Sequence, residues 1–378
     1  MLCLSRLMSL TAGIILMLSA SSSFSATPTV LVSSFAPGDQ GGIQAYQLNT
    51  ETGAITPIHR TSGISNPFFI AVSPDQKSLY SIDAKNFGGT EPEQVAAFQL
   101  DSSNGKLTLL NRQSTKGTAS CYLEVDQTGK SVLVANYSSG NVASYAVQSD
   151  GSLSAPVSFF QHMGASCNLA RQKEAHAHCF VISPNNKFAY AADLGIDQIV
   201  CYSIDPATAT LTPNTQPFVR TPAGAGPRHL TFHPNGKCLY VINELANSIT
   251  RYDYAADTGM LIERQTISTI PEGFTGITHT ADLKITPDGK FLFGTNRGHD
   301  SIAAYQIADD GQLSLIEIIP SLGKGPQNLA ITADGNLLLC ANMPGNNLAI
   351  FHIGADGKLK SAGRPTVITG PSCIRILK

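Results

Sequence analysis

Short apolar runs recur along this chain in pairs, each pair joined by a polar turn. AVSPDQKSLYSID, EVDQTGKSVLVAN, VISPNNKFAYAAD, TFHPNGKCLYVIN, KITPDGKFLFGTN and AITADGNLLLCAN share one plan: apolar stretch, a Ser/Thr-Pro-Asp/Asn-Gly-Lys type of turn, second apolar stretch. Runs this short, bounded by Gly, Pro and Asn, predict strands buried on both faces rather than helices. Their first turn residues, Ser73, Asp126, Ser183, His233, Thr286 and Thr332, are 53, 57, 50, 53 and 46 residues apart. A period near 50 marks a repeat architecture. Each copy also carries two later alternating runs, such as Ser248 to Tyr254 and Leu261 to Ile267 around the turn Asp257-Thr258-Gly259. Four strands per unit follow.

A four-stranded antiparallel sheet of this size cannot bury both faces alone, whereas sheets stacked radially around an axis can, with only short edges left over. The chain ends set the number of sheets. GPSCIRI, from Gly370 to Ile376, repeats the opening of the sixth copy, GPQNLAI from Gly325 to Ile331, and then lacks a partner in sequence. TVLVSSF, from Thr29 to Phe35, matches a second strand and is followed by a third at Gly42 to Leu48. Complementary ends of this kind predict an all-β fold, a seven-bladed β-propeller closed by combining N- and C-terminal strands in one blade. A linear solenoid would not need them. Tryptophan is absent, which removes the WD signature, and no Gly-Gly kelch pattern recurs.

Composition agrees with a turn-rich globular protein: 33 Gly, 21 Pro, 42% hydrophobic and 14% charged residues. Arg6, the apolar run Leu7 to Leu18 and the small residues Ser19 to Ser25 predict a secretory signal peptide over residues 1–25, followed by the propeller domain over 26–378. The expected location is periplasmic or secreted. The apolar run is short beside the roughly 20 residues of a membrane helix, so no stable span is expected after cleavage. Without the leader, 24 Lys and Arg face 27 Asp and Glu, and nothing recruits nucleic acid. Seven cysteines would remain, an odd number without a CxxC pair, so at most three disulfides could form. Cys121, Cys179, Cys201, Cys238 and Cys340 lie in or beside apolar runs and read as buried small hydrophobes.

In such a blade the first strand lines the central channel, so two repeat positions share the face opposite the turn. Five before the anchors stand Phe68, Cys121, His178, Arg228, Ala281 and Gln327; eleven after stand Ala84, Tyr137, Leu194, Glu244, Arg297 and Met343. The ionisable members, His178, Arg228, Glu244 and Arg297, fall in three consecutive blades. Guanidinium groups can grip an anion or stabilise an oxyanion, and His and Glu can move protons. The plainer alternative is that Glu244 pairs with an arginine to satisfy charge and His178 is hydrogen-bonded filler. His176, His229, His279 and His299 lie near the same face as supporting groups, with His176, His229 and His299 taken as substrate-binding candidates. His233 sits in a turn at the other face. The residue ten after each anchor is always Asp or Asn (Asp83, Asn136, Asp193, Asn243, Asn296, Asn342), which reads as turn chemistry. No spacing is diagnostic of a metal, and no cofactor is expected.

The stretch GAGPRHLTFHPNGKCLYVINE, from Gly224 to Glu244, resembles the signature of the bacterial seven-bladed 6-phosphogluconolactonase family, which includes the carboxy-cis,cis-muconate cyclases. The resemblance covers essentially all of the chain after the leader. It implies that Arg228 and Glu244, His178 in AHAHCFVISPNN and Arg297 in GTNRG are the family's site residues. It also implies hydrolysis of a small anionic lactone, of sugar or organic-acid type. A leader is unexpected for an enzyme of a cytoplasmic phosphosugar, which leaves the substrate open. A muconate-type cycloisomerase and a non-catalytic exported binding propeller are the alternatives.

Overall fold

The computed structural model describes residues 27–377; the expected leader, residues 1–25, lies outside them. Apart from one 3-10 turn at Gly38–Gln40, the described elements are strands, and no helix among them is long and apolar enough to cross a membrane. Seven antiparallel sheets form, six of four strands and one in which Leu359–Ser361 and Thr366–Val367 share the outer position beside Asn347–Ile353. The first sheet runs Pro371–Ile376, Thr29–Ser34, Gly42–Leu48, Ile55–Ser62 from inside outward. This is the closing blade the chain ends predict. We number the blades from it; in blades 2 to 7 the inner strands are Ile70–Val72, Ser120–Val125, Ala177–Ile182, Pro227–Phe232, His279–Ile285 and Pro326–Ile331. Each inner strand packs on the next, and the seventh packs on Pro371–Ile376. The ring is complete.

Second strands such as Ser131–Asn136 and Cys238–Asn243 are buried at every residue, because both their faces meet neighbouring blades. Outer strands such as Leu153–Gln161 alternate, with one face in water. This radial gradient is why the inner half of each repeat reads as unbroken apolar sequence and the outer half as alternating sequence. The turns follow from side-chain chemistry. Ser73, Ser183 and Thr286 hydroxyls donate to Asp75, Asn185 and Asp288 at 2.6, 2.7 and 2.6 Å, and a left-handed residue then closes the turn. That residue is Gly289 at φ 76° where the sequence offers glycine, and Gln76 (57°) or Asn186 (59°) where it does not.

Blades are latched by recurrent polar bonds. Tyr80, Tyr190 and Tyr240 hydroxyls donate to the carbonyls of Gly151, Gly259 and Gly311, in the outer turn of the following blade, at 3.0, 2.6 and 2.6 Å. The recurrent Asx does more than end its strand: the amides of Asn136, Asn296 and Asn342 donate to the carbonyls of Thr115, Thr269 and Ser321, on the segment arriving from the preceding blade. All seven cysteines among the described residues are free thiols, and all but Cys167 are buried, as the packing reading expects.

Candidate functional site

The strand offsets bring their polar residues to one mouth of the channel. A cavity of about 200 Å³ there is lined by Cys121, His178 and Arg228 from inner strands, by Phe68 just before one, by Tyr137 and Glu244 just beyond second strands and by Arg297 at the end of one; Phe87, Ala119 and Arg171 complete it. A larger hollow of about 870 Å³ lies at the turn face around Thr27, Pro287 and Asp334, and gathers no cluster of ionisable groups.

Glu244 is the centre of the site. Its Oε2 accepts from Arg228 Nε at 2.9 Å and from Arg297 Nη2 at 2.8 Å, and its Oε1 accepts from Arg171 Nη2 at 2.7 Å. Burial alone would raise its pKa, but the Arg297 and Arg228 charges outweigh burial and hold the carboxyl well below the usual carboxylate range. Three guanidiniums around one carboxylate leave a net positive mouth. Arg228 is 1% exposed and is fixed further by Nη1 donating to Ala281 O at 2.5 Å. Burial, together with the neighbouring Arg297 charge, pulls its pKa down to about 10, so it stays charged at neutral pH. Arg297 and Arg171 are looser: their side chains are 27% and 33% exposed, and they form the rim. Arg297 also donates to Thr280 O at 3.0 Å and Gln327 Oε1 at 3.4 Å.

His178 lies on the cavity floor with Nδ1 3.6 Å from Cys121 Sγ and its ring edge-on to Tyr137. Burial and the Arg228 charge drive its pKa well below 6.5, so the imidazole is neutral and keeps an available lone pair. Burial pushes the Cys121 thiol far up, which makes it a packing group rather than a nucleophile. The opposite wall is aromatic, with Phe68 stacked on Phe87 at 5.1 Å and Phe35 edge-on to both.

The four residues selected as catalytic therefore share one cavity. The supporting histidines part company. His176 stacks on Tyr137 at 4.5 Å and its Nδ1 meets Tyr137 O at 3.0 Å, behind the cavity wall. His229 lies deeper in the channel, between Arg228 and Asp282. His299 is off the lining altogether, with Nδ1 2.7 Å from Ser301 Oγ and its ring edge-on to Phe274. His279 contributes its carbonyl to Arg297. His233 holds Gly289 O at the turn face, as placed. Arg171 escaped the sequence reading because it lies in the connection between Gln161 and Ala177, outside the repeat; the one signal is that this interval, 57 residues, is the longest between anchors. Among the described residues no three His, Cys, Asp or Glu side chains are grouped as metal ligands.

Comparison with known proteins bears out the fold. Residues 29–376 match the family model described as Lactonase, 7-bladed beta-propeller. The 6-phosphogluconolactonase of Bacillus subtilis is 36% identical over 299 residues, 79% of this chain and 83% of the relative. That of Formosa agariphila is 32% identical over 307 residues, covering 80% and 85%. Among solved structures, the periplasmic gluconolactonase of Pseudomonas aeruginosa superposes with TM-score 0.86 at 28% identity, covering 93% of this chain and 99% of its own.

Proposed function

Because the chain belongs to the seven-bladed β-propeller lactonase family, we propose that it hydrolyses a small anionic lactone at the Glu244 mouth, in the periplasm or outside the cell. The observation that carries this is the convergence of Arg171, Arg228 and Arg297 on one carboxylate beside a neutral imidazole. The rim guanidiniums of Arg171 and Arg297 hold the substrate's carboxylate or phosphate, for which a fork of donors is the fitting chemistry. Arg228 is rigid and buried, and it faces the lactone carbonyl, where negative charge develops. Glu244 has both oxygens occupied and a depressed pKa, so it organises the arginines instead of taking protons. His178 is the base. It takes a proton from the attacking water as the oxygen bonds to the carbonyl carbon; the acyl–ring-oxygen bond then breaks and the imidazolium returns that proton to the leaving oxygen. The product is a hydroxy acid, released with one proton at neutral pH. The leader expected over residues 1–25 supports the exported location, and the Pseudomonas relative is described as periplasmic.

The test is proton release from a panel of sugar and organic-acid lactones, wild type against Arg228→Ala and His178→Gln. Both variants lose at least tenfold in turnover if these groups touch the reacting atoms, given roughly 1.5–3 kcal/mol for a hydrogen bond to a charged group. Wild-type turnover no greater than that of the variants on every lactone, with anion affinity retained, makes the protein a binding propeller instead.

A further inference from the structure

Below the cavity, two buried ionisable groups take no part in the reaction just described. His229 and Asp282 are 3% and 1% exposed. His229 Nε2 lies 3.2 Å from Arg228 Nη1, and its Nδ1 lies 2.8 Å from Asp282 Oδ1. Asp282 Oδ2 accepts from the Asn328 amide at 2.7 Å and from Leu329 N at 2.9 Å, and Lys284 Nζ bridges both its oxygens at 2.8 Å. The polarity of this chain is fixed by chemistry. An arginine only donates, so Nε2 must offer its lone pair and the ring proton must sit on Nδ1, directed at Asp282. Burial, with the Arg228 charge, pulls the His229 pKa down to about 4, in keeping with a neutral ring at neutral pH.

We infer that His229 and Asp282 are positioning residues for Arg228. Asp282 is anchored by three neighbours, selects the tautomer of His229, and through it pins one terminal nitrogen of the guanidinium; Glu244 pins Nε, and the other terminal nitrogen is left for the substrate carbonyl. A fork held at Nε, at Nη1 and by the Ala281 carbonyl cannot swing toward the rim. It meets the reacting oxygen without first being ordered, the condition under which a donor contributes to the transition state.

This rests on the lactonase reading, and the experiment separates the two. His229→Phe keeps a ring of similar shape among Phe69, Tyr122 and His178, whose rings are 6.1, 5.2 and 5.3 Å away, and removes both polar bonds. Its kcat falls about ten- to a hundredfold, KM for the lactone changes less than about threefold and the melting temperature stays within a few degrees. His229→Gln, which restores an acceptor oxygen toward Arg228, recovers most of the loss. Wild-type kcat in His229→Phe overturns the inference, as does a loss shared equally by kcat, KM and melting temperature that Gln does not mend. Nitrogen NMR of the ring needs no turnover: the expected form is Nδ1–H, lost or scrambled in Asp282→Asn. An Nε2–H tautomer in the wild type overturns the positioning role even where the lactone chemistry stands, and absence of turnover with an Nδ1–H ring refutes only the reaction.

Discussion

Arg171→Ala separates anion capture from chemistry. Arg171, Arg228 and Arg297 oppose Glu244 alone within the mouth, so this variant drops the local net charge from two positive to one. A unit charge about 5 Å from a bound anion, at an effective dielectric near 20, contributes about 3 kcal/mol by Coulomb's law. Arg171 is one-third exposed (33%), and water screening reduces this to about 1–2 kcal/mol. KM for an anionic lactone is therefore expected to rise about five- to thirtyfold, and kcat to change little, because Arg228 and His178 are untouched. A neutral lactone of the same ring size should show less than a twofold change. The assay is pH-stat kinetics on the two lactones at low and high salt, where the anionic substrate alone loses affinity as ionic strength rises. Equal KM changes for both lactones, or none for the anionic one, would refute the assignment of Arg171 to charge recognition.

Glu244→Gln leaves Arg228 buried without its carboxylate, and breaking such a pair typically costs about 3–5 kcal/mol; urea unfolding should register this loss, and an unchanged midpoint would contradict the ion-pair geometry. Acid stability tests the buried imidazoles. His229 titrates near 4 in the folded protein against about 6.5 unfolded, so the unfolded chain takes up the proton first and stability falls as pH drops from about 6.5 to about 4, by up to about 3 kcal/mol. His178 acts with the same sign, while the depressed carboxyls of Glu244 and Asp282 extend the loss at still lower pH. Denaturation at pH 7.5, 6 and 5 should show the slope, flattened in His229→Phe; a pH-independent stability across that range counts against neutral buried rings. Thiol labelling of a chain starting at Thr27 should modify Cys167 quickly, and the other six only after denaturation; rapid native labelling of Cys121 or Cys179 would contradict their burial.

The fold was legible because the same turn chemistry recurs six times and the chain ends complement each other, so register propagated from one blade to the next without any long-range guess. The same register placed His178, Arg228, Glu244 and Arg297, since a residue's distance from its turn fixes its height in the channel. Where the repeat lapses, so does the reading. Arg171 sits in a connection with no periodic constraint, and His299, close in sequence to Arg297, points to Phe274 because the chain turns sharply at Gly298, whose φ is 104°. Asp282 lay one position past the offset that was read, among apolar neighbours, and sequence alone does not say whether such a residue faces the channel or the adjacent blade.

The pairing of Thr29–Ser34 with Pro371–Ile376 sets the order of events in biosynthesis. The Ser33 hydroxyl meets that of Ser372, 339 positions away, so the sheet begun at Thr29–Ser34 waits for a strand made much later. A nascent chain can assemble isolated sheets but cannot close the circle, and contacts of such separation are slow to form. Until Pro371–Ile376 arrives, the edge of Thr29–Ser34 stands unpaired and the ring remains open at that one seam.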